Sequence, residues 1–400
     1  MSRPPATPAR PAAASRALER PEHRLLLLCA RARVSTEAAA RIKSLAASGL
    51  DWDYLYRLAR RHSVLPLLYR QLSAAAPRET PPAELRRLRD DFRKHIARNL
   101  YLTGELERVV GLFESERVPV IPYKGPALAA LAYKDLTLRR YVDLDILVRR
   151  EDLARAKELL ASRGFEPRPR LTPAQERVLL RSQHNLPFTR DEGRLIVELH
   201  WEFVARRYAS PQDDSVWSRL VKVKLGSREV NSLSPEDLLL SLCVHGTKHL
   251  WERLAWVCDV AELVNTHPRL DWEAVTARAR AAGTERMLLL GLHLARRLLE
   301  ARLPAEVERR AAAEPAVGGL TERAAARIFD GPEHRPAGLL ANIGFNLRAR
   351  RRLGQRLRYL GFIFTPTDGD LAALALPARL SFVYYVLRPF RLLLKGDGGH

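Results

Sequence analysis

The chain has 400 residues, of which 46% are hydrophobic, a composition typical of a globular protein with a substantial core rather than a disordered or fibrous one. Its three cysteines, Cys29, Cys243 and Cys258, are too few and too scattered for a disulfide framework or a zinc site, which indicates a reducing compartment. The formal net charge of +21 favours partners that carry phosphate, which are nucleotides, nucleic acid and anionic lipid.

The N-terminal part of the chain predicts an arm followed by helices. Residues 1–22 are rich in Pro, Ala and Arg and predict a disordered arm, an organellar transit peptide being the alternative that the scarcity of acids leaves open. The apolar run at 25–30 is far shorter than the roughly 20 residues that a membrane-spanning helix needs. From 23 to 115 apolar residues recur at spacings of three and four, which predicts a helical region. Together with the few scattered cysteines, this favours a cytoplasmic protein, with association at the inner membrane surface as a further expectation.

The apolar period then changes to that of strands. "VPVIPYKG" (118–125) is β-branched and bounded by Pro and Gly, which predicts a strand that runs into a loop. A second strand is predicted over 141–148, followed by a helix that ends at Gly164. Residues 185–190 and 195–203 flank a turn and predict a hairpin. We expect a small mixed α/β unit over 116–232.

The rest of the chain is again helical. Ser234 is a predicted N-cap and Pro235 the first helical residue of a helical domain over 233–345. A basic and apolar segment, 346–400, follows it. The predicted class is α+β, with a small mixed β-sheet core flanked by N-terminal and C-terminal helical regions.

Acidic residues interrupt two of the predicted strands. Side chains alternate along a strand, so Asp143 and Asp145 share one face of theirs, and Glu198 and His200 share one face of the other. If the strands are neighbours, three carboxylates converge and repel one another unless a cation lies between them. Oxygen ligands of this kind suit Mg²⁺ or Mn²⁺. The alternative is that each strand has a solvated face whose acids only favour solubility.

The stretches "YKGPALAALAYKDLTLRRYVDLDILV", "LIVELHWEF" and "HGTKHLWERLAWVCDVAEL" together resemble the nucleotidyltransferase superfamily that includes DNA polymerase β. The chain is most similar to a large bacterial family of nucleotidyltransferase-like proteins often found beside biosynthetic gene clusters, and the likeness runs from about 118 to 265. The resemblance makes Asp143 and Asp145 the metal-binding pair. It makes Glu198 the third carboxylate, as a ligand or a general base.

The sequence departs from the superfamily pattern in the phosphate loop. Lys124-Gly125 stands where Gly-Ser is usual, so phosphate contact falls to the Gly125 amide and the Lys124 ammonium. Arg139 is a further candidate for phosphate charge. By the same resemblance, His245 or Lys248 is expected to face the nucleotide. His200, which lies beside Glu198, is expected to orient that carboxylate or to contact phosphate, a plain surface histidine being the alternative.

The resemblance implies a metal-dependent transfer of a nucleoside monophosphate from an NTP, with ATP as the expected nucleotide. The acceptor is a hydroxyl on a small molecule, a glycan precursor, a protein or an RNA, and pyrophosphate is released. Two alternatives remain open. One is a catalytically degenerate member that binds nucleotide, a membrane surface or a protein partner. The other is a toxin-type enzyme that modifies tRNA.

Two further patterns are ambiguous. His245 and His249 have the i, i+4 spacing of metal ligands, although helical histidines of this kind are more often packed. The segment 346–395 combines six arginines between Arg348 and Arg358 with apolar runs that prolines interrupt. It predicts peripheral contact with an anionic membrane, the solvated face of a helix being the alternative. Nucleic acid binding is supported by charge alone.

Overall fold

A computed structural model describes residues 19–209, 214–333, 337–374 and 376–394 of the chain. Most of the predicted disordered arm, residues 1–18, lies outside them. The chain then forms five helices in the part that the sequence predicts to be helical, and two of them begin at side-chain caps, Ser35 and Asp51. These helices are Pro21–Cys29 (α1), Thr36–Ala46 (α2), Trp52–Arg61 (α3), Leu65–Ala75 (α4) and Pro82–Ser115 (α5).

The central unit is a five-stranded mixed sheet with three helices. Its strands are Val120–Pro122 (β1), Leu144–Val148 (β2), Glu166–Pro167 (β3), Asn185–Arg190 (β4) and Leu195–His200 (β5). The helices are Gly125–Leu128 (α6), which a π-helical turn, Ala129–Tyr133, extends, then Leu153–Ser162 (α7) and Pro173–Ser182 (α8). The strand order is β1-β2-β5-β4-β3, in which only β2 and β5 are parallel. The predicted fold class is thus confirmed.

A short helix and a separate hairpin connect the sheet to the second helical region. A 3₁₀-helix, Asp214–Ser218, precedes two antiparallel strands, Val221–Leu225 (β6) and Arg228–Ser232 (β7). Ser232 donates a hydrogen bond to the carbonyl oxygen of Pro122 in β1, at 2.7 Å. The hairpin is therefore held against the edge of the main sheet.

Helices make up the remainder. Ser234 caps the first of them and Pro235 begins it, as predicted. The helices are Pro235–Lys248 (α9), Leu254–Thr266 (α10), Trp272–Ala281 (α11), Glu285–Leu299 (α12), Ala305–Ala313 (α13), Pro315–Ile328 (α14), Leu339–Arg348 (α15), Leu353–Ile363 (α16), Asp368–Ala373 (α17) and Val383–Leu394 (α18), with a 3₁₀-helix, Ala378–Leu380, before the last.

One hydrophobic core runs from α1 through the sheet into α9, α10 and α12. Leu144 and Ile146 of β2 and Val197 and Leu199 of β5 are fully buried in it, which fixes the register of the two central strands. In the described part of the chain, every helix is too short or too polar to cross a membrane.

Candidate active site

The two central strands bring polar side chains together on one face of the sheet. In their parallel register Asp145 lies opposite Glu198, and Leu147 opposite His200. Glu198 and His200 are two residues apart, so they share a face. The predicted meeting of acids from two neighbouring strands is present for Asp145 and Glu198. Asp143 lies just before β2, because that strand begins at Leu144.

His200 bridges the two carboxylates. Its Nε2 lies 3.1 Å from Oδ1 of Asp145 and 3.2 Å from Oε2 of Glu198. Asn185 of β4 donates to the same oxygen of Glu198 from 3.0 Å. Asp145 and His200 are buried, whereas the side chain of Glu198 is 28% exposed, so the cluster is reached from the Glu198 side.

Lys124 supplies positive charge to the same cluster. Its ammonium donates to Oδ1 of Asp145 at 3.0 Å, and both side chains are largely buried. Gly125 has a φ of +53°, a left-handed conformation in which a side chain is strained. A Cβ at this position would also lie 3.2 Å from the carbonyl oxygen of Asp143. Glycine therefore lets the Lys124 loop approach the segment that carries the acids.

The charges of the cluster depend on one another. Burial alone disfavours a charged Asp145, but Lys124 and His200 outweigh it and hold the pKa of Asp145 well below its usual range. Burial likewise opposes charge on Glu198, yet the hydrogen bond with His200 lowers the pKa of Glu198. Burial disfavours the imidazolium of His200, but its bonds to Asp145 and Glu198 raise the pKa of that ring.

At Asp143, burial and the neighbouring carboxylates outweigh the charges of Lys124 and Arg139, so we call it the uncompensated acid of the site. Burial raises its pKa to about 6, and the nearby charges of Asp145 and Glu198 act in the same direction. A carboxylate that is costly to ionise in the free protein gains most from a bound cation. A raised pKa in the free protein is therefore what we expect of a carboxyl group that serves as a cation ligand.

The donor chemistry fits a divalent cation. Among the residues that the structure describes, Asp145, Glu198 and His200 form a group whose ligand atoms all lie within 4.8 Å of one another. The group does not include Asp143. The two carboxylates suit Mg²⁺ or Mn²⁺, and the imidazole nitrogen is a further donor beside them.

Arg139 is paired with a buried carboxylate in this structure. Its Nε and Nη2 donate to the two carboxylate oxygens of Asp259 in α10, at 2.8 and 3.0 Å. Tyr133 donates to the same carboxylate. Asp259 is buried, so this pair fastens the segment before β2 onto α10. A phosphate role for Arg139 stays a prediction.

The end of α9 approaches the cluster. Burial, with a smaller effect of the Lys124 charge, lowers the pKa of Lys248 to about 8, while Glu198 acts in the opposite direction. The rings of His245 and His249 lie 4.7 Å apart and both pack against Trp256. These two histidines thus belong to a packed aromatic group.

Several neighbours of the cluster were not predicted from the sequence. Asn185 lies opposite His200 across the hairpin of β4 and β5. The sequence contains a signal for this contact, because pairing residues outward from the predicted turn sets Asn185 against His200. His184, the residue before it, is buried, and its ring centroid lies 5.8 Å from that of His200. The ring of Tyr123 packs edge-on against His200. The partnership of Arg139 with Asp259 spans 120 residues and has no local signal.

Comparison with known proteins gives one match. A family model described as an uncharacterised nucleotidyltransferase matches residues 48–300, which is more than half of the chain. No curated protein matches, and no solved structure does.

Proposed function

The chain belongs to this uncharacterised nucleotidyltransferase family, and we propose that it transfers a nucleoside monophosphate from an NTP to a hydroxyl acceptor. The observation that carries the proposal is the cluster of Asp145, Glu198 and His200 beside Lys124 and the uncompensated Asp143. A nucleoside triphosphate is negatively charged and a divalent cation is positively charged. The site contains the ammonium of Lys124 for the first and carboxylates for the second.

Each side chain has a proposed role. Asp143 and Asp145 would hold the cation, with His200 as a third donor, and Mg²⁺ or Mn²⁺ when bound offsets the phosphate charge. The Gly125 amide and the ammonium of Lys124 bind phosphate oxygens, which requires Lys124 to exchange Asp145 for the nucleotide. Lys248 is the last residue of α9, whose end approaches the cluster, and we assign it a contact with the same phosphates. ATP is the expected nucleotide.

The proposed step is an in-line displacement. The acceptor oxygen forms a bond to the α-phosphorus, and the bond from that phosphorus to the bridging oxygen breaks. Pyrophosphate leaves with the electron pair of the broken bond. The hydroxyl proton passes to Glu198, whose partly exposed carboxylate is the one that an acceptor can reach.

Thermal stabilisation tests nucleotide binding without knowledge of the acceptor. A ligand bound only by the folded state raises the unfolding temperature by mass action. We expect one NTP to raise it in the presence of Mg²⁺ or Mn²⁺, and the effect to disappear in Asp143→Asn/Asp145→Asn. Asp90→Asn, on the exposed face of α5, is the control and should respond like the wild type. Equal responses of wild type and double variant would exclude the site.

A second candidate function is peripheral contact with an anionic membrane through 346–395. Among the described residues, eight of the eleven large apolar side chains that are exposed lie between Leu340 and Val386. No acid occurs between Glu333 and Asp368, whereas seven arginines do, and six of them form the run from Arg348 to Arg358. Of these Arg350 is buried and bonds the carbonyl oxygens of Asn346 and Tyr208, so the other five supply the surface charge. Exposed apolar groups among cations fit an anionic bilayer surface.

A further inference from the structure

A cavity of about 380 Å³ lies at the carboxyl ends of β2 and β5. We call it the arginine pocket, because five of its lining side chains are Arg149, Arg150, Arg206, Arg219 and Arg278. Its other walls come from the segment after β5, the 3₁₀-helix at 214–218, α9 and the end of α11. The volume is that of a site for a small organic molecule.

The pocket is next to the candidate active site. Leu147, which lines it, lies two residues after Asp145 on the same face of β2, a separation of about 7 Å along the strand. Helix α9 borders both places. Leu240 and Val244 line the pocket, whereas Lys248 at the end of the helix is close enough to Lys124 and Glu198 for their charges to shift its pKa.

The arginines leave an excess of positive charge. Arg219 and Arg278 both bind the buried carboxylate of Asp237, from 2.9 and 3.0 Å. Arg150 and Arg206 likewise share Glu202. One carboxylate cannot neutralise two guanidinium groups, so each of these sets carries a surplus charge. With Asp214 the lining has five arginines and three acids, a formal charge of +2.

The fifth arginine is placed on an aromatic ring. The guanidinium carbon of Arg149 lies 4.7 Å from the ring centroid of Trp217, a cation–π contact that leaves the N–H groups at the edge available to an anion. Trp201, Phe203 and Val244 add apolar walls. The lining therefore suits a molecule with an apolar or flat body and an anionic group, a carboxylate or a phosphate.

We propose that the arginine pocket is the acceptor subsite, and that the acceptor is a small hydroxyl-bearing molecule with an apolar body and an anionic group. The inference rests on the proposed nucleotidyl transfer. The anionic group binds the arginines, and the hydroxyl extends about 7 Å along the strands to Asp145 and Glu198. A nucleotide base is neutral and would leave the surplus positive charge of the arginine pocket without a partner. We therefore do not expect the base of the nucleotide to bind in this pocket.

Calorimetric titration with three probes of one size tests the ligand class. The probes are 2-naphthoate, 2-naphthyl phosphate and neutral 2-naphthalenemethanol. We expect at least one anion to bind about tenfold or more tightly than the alcohol, because charge-assisted hydrogen bonds are the strong ones. The better anion distinguishes a carboxylate from a phosphate group. Equal affinities for all three probes would overturn the assignment of an anionic ligand.

Variants connect the binding to the pocket. Arg149→Gln is expected to weaken the anions about tenfold and to leave the alcohol unchanged, since only a charged contact is lost. Arg163→Gln, an exposed arginine after α7, is the matched control and should change nothing. Arg206→Gln removes another positive charge of the pocket. Because the Arg206 side chain is largely exposed, this variant is expected to fold even if Arg149→Gln does not. Anion binding that survives both pocket variants places the probes elsewhere and overturns the proposal.

A nucleotide analogue distinguishes an acceptor site from a nucleotide site. With Mg²⁺ and α,β-methylene-ATP at saturation, the affinity of the preferred anion should stay the same, because acceptor and nucleotide bind together before transfer. Competition would assign the pocket to the nucleotide and overturn this inference alone. Absence of nucleotide binding in the stabilisation test would overturn the proposed function, and with it the acceptor role, whatever the probes show.

Discussion

At the scale of single residues, Asp143 is a carboxyl group of the candidate site whose environment disfavours its charge. Burial and the charges of Asp145 and Glu198 raise the pKa of Asp143 from 3.8 to about 6. The folded protein therefore holds this proton to higher pH than the unfolded chain does. As pH rises through that interval, the unfolded state loses its proton first, so stability decreases.

The first prediction is that Asp143→Asn stabilises the metal-free protein at neutral pH. The expected gain is about 1–3 kcal/mol above about pH 7, and it shrinks as pH falls through about 6 towards 4. Chemical denaturation at several pH values measures it. The variant should at the same time lose the stabilisation that Mg²⁺ or Mn²⁺ gives the wild type. A variant less stable than the wild type at every pH would show that Asp143 has a structural partner.

The second prediction concerns Lys124, which compensates the buried Asp145 in the free protein. Removal of one partner from a buried ion pair leaves an uncompensated charge, so Lys124→Met is expected to cost about 3–5 kcal/mol of stability. Mg²⁺ should restore part of this loss, because a bound cation takes over the compensation. Lys222→Met, at an exposed position of β6, is the control and should be close to neutral. A Lys124→Met loss that Mg²⁺ leaves unchanged would count against a cation at Asp145.

At the scale of elements, the turn after α9 fixes the helix that borders both the candidate site and the arginine pocket. Leu250 and Trp251 have positive φ values, and the Trp251 N–H donates to the carbonyl oxygen of Gly246 at 2.8 Å. The indole of Trp251 is thereby folded back into the core, against Gly246 and Gly291. Both glycines provide the space that the ring occupies.

The third prediction follows from that contact. A Cβ at Gly246 would lie 2.6 Å from ring atoms of Trp251, so Gly246→Ala forces a shift of packed groups and should cost about 1–3 kcal/mol. Gly318→Ala is the matched control, because it is also helical but has no heavy atom within 4 Å of the added Cβ. The control should gain up to about 1 kcal/mol from helix propensity. Thermal unfolding of both variants gives the comparison, and a neutral Gly246→Ala would refute the packing account.

The sequence predicts elements whose signals are local and leaves out those that depend on distant partners. Alternation of apolar and polar residues in β5, and the turn after β4, suffice for the hairpin and for the face that holds Glu198 and His200. Ser234 and Pro235 suffice for the start of α9. Two-residue β3 was not predicted, because two residues are too few to show a period. The hairpin of β6 and β7 was also missed, although β6, VKVKL, alternates apolar and polar residues and is followed by Gly226, a local signal that would have predicted it.

The same division holds for the candidate site. Asp145 and Glu198 can be paired from strand patterns, since parallel neighbours with one polar face each are enough. The ion pair of Arg139 with Asp259 and the arginine pocket could not be inferred in this way. Each joins side chains from segments that are far apart in sequence, and only the packing of α9, α10 and α11 on the sheet brings them together.

At the scale of the whole molecule, charge and exposed apolar surface are unevenly distributed. Leu353 and Leu357 of α16 are 69% and 60% exposed and, four residues apart, share one side of the helix. The fourth prediction is that the chain binds vesicles of phosphatidylglycerol and phosphatidylcholine and not phosphatidylcholine alone. Leu353→Asp/Leu357→Asp should weaken this binding at least about tenfold, because two apolar anchors are lost and two repelling charges are added.

Vesicle flotation measures this binding, and the chain offers a control. Leu100 of α5 is 57% exposed but lies outside the basic segment, so Leu100→Asp should leave binding unchanged. Equal binding of the double variant and the wild type would remove 346–395 from membrane contact. Equal binding to charged and neutral vesicles would remove the role of the arginines.

The central claim is that the chain transfers the α-phosphoryl group of an NTP together with its nucleoside. The most direct measurement compares ATP labelled with ³²P at the α or at the γ position, with Mg²⁺ and a clarified extract of the source cells as acceptor mixture. We predict that wild type transfers the α label to a product and releases the γ label as pyrophosphate, and that Asp145→Asn does neither. Transfer of the γ label instead, or no transfer of the α label from any of the four NTPs by a protein that binds one of them, would contradict the claim.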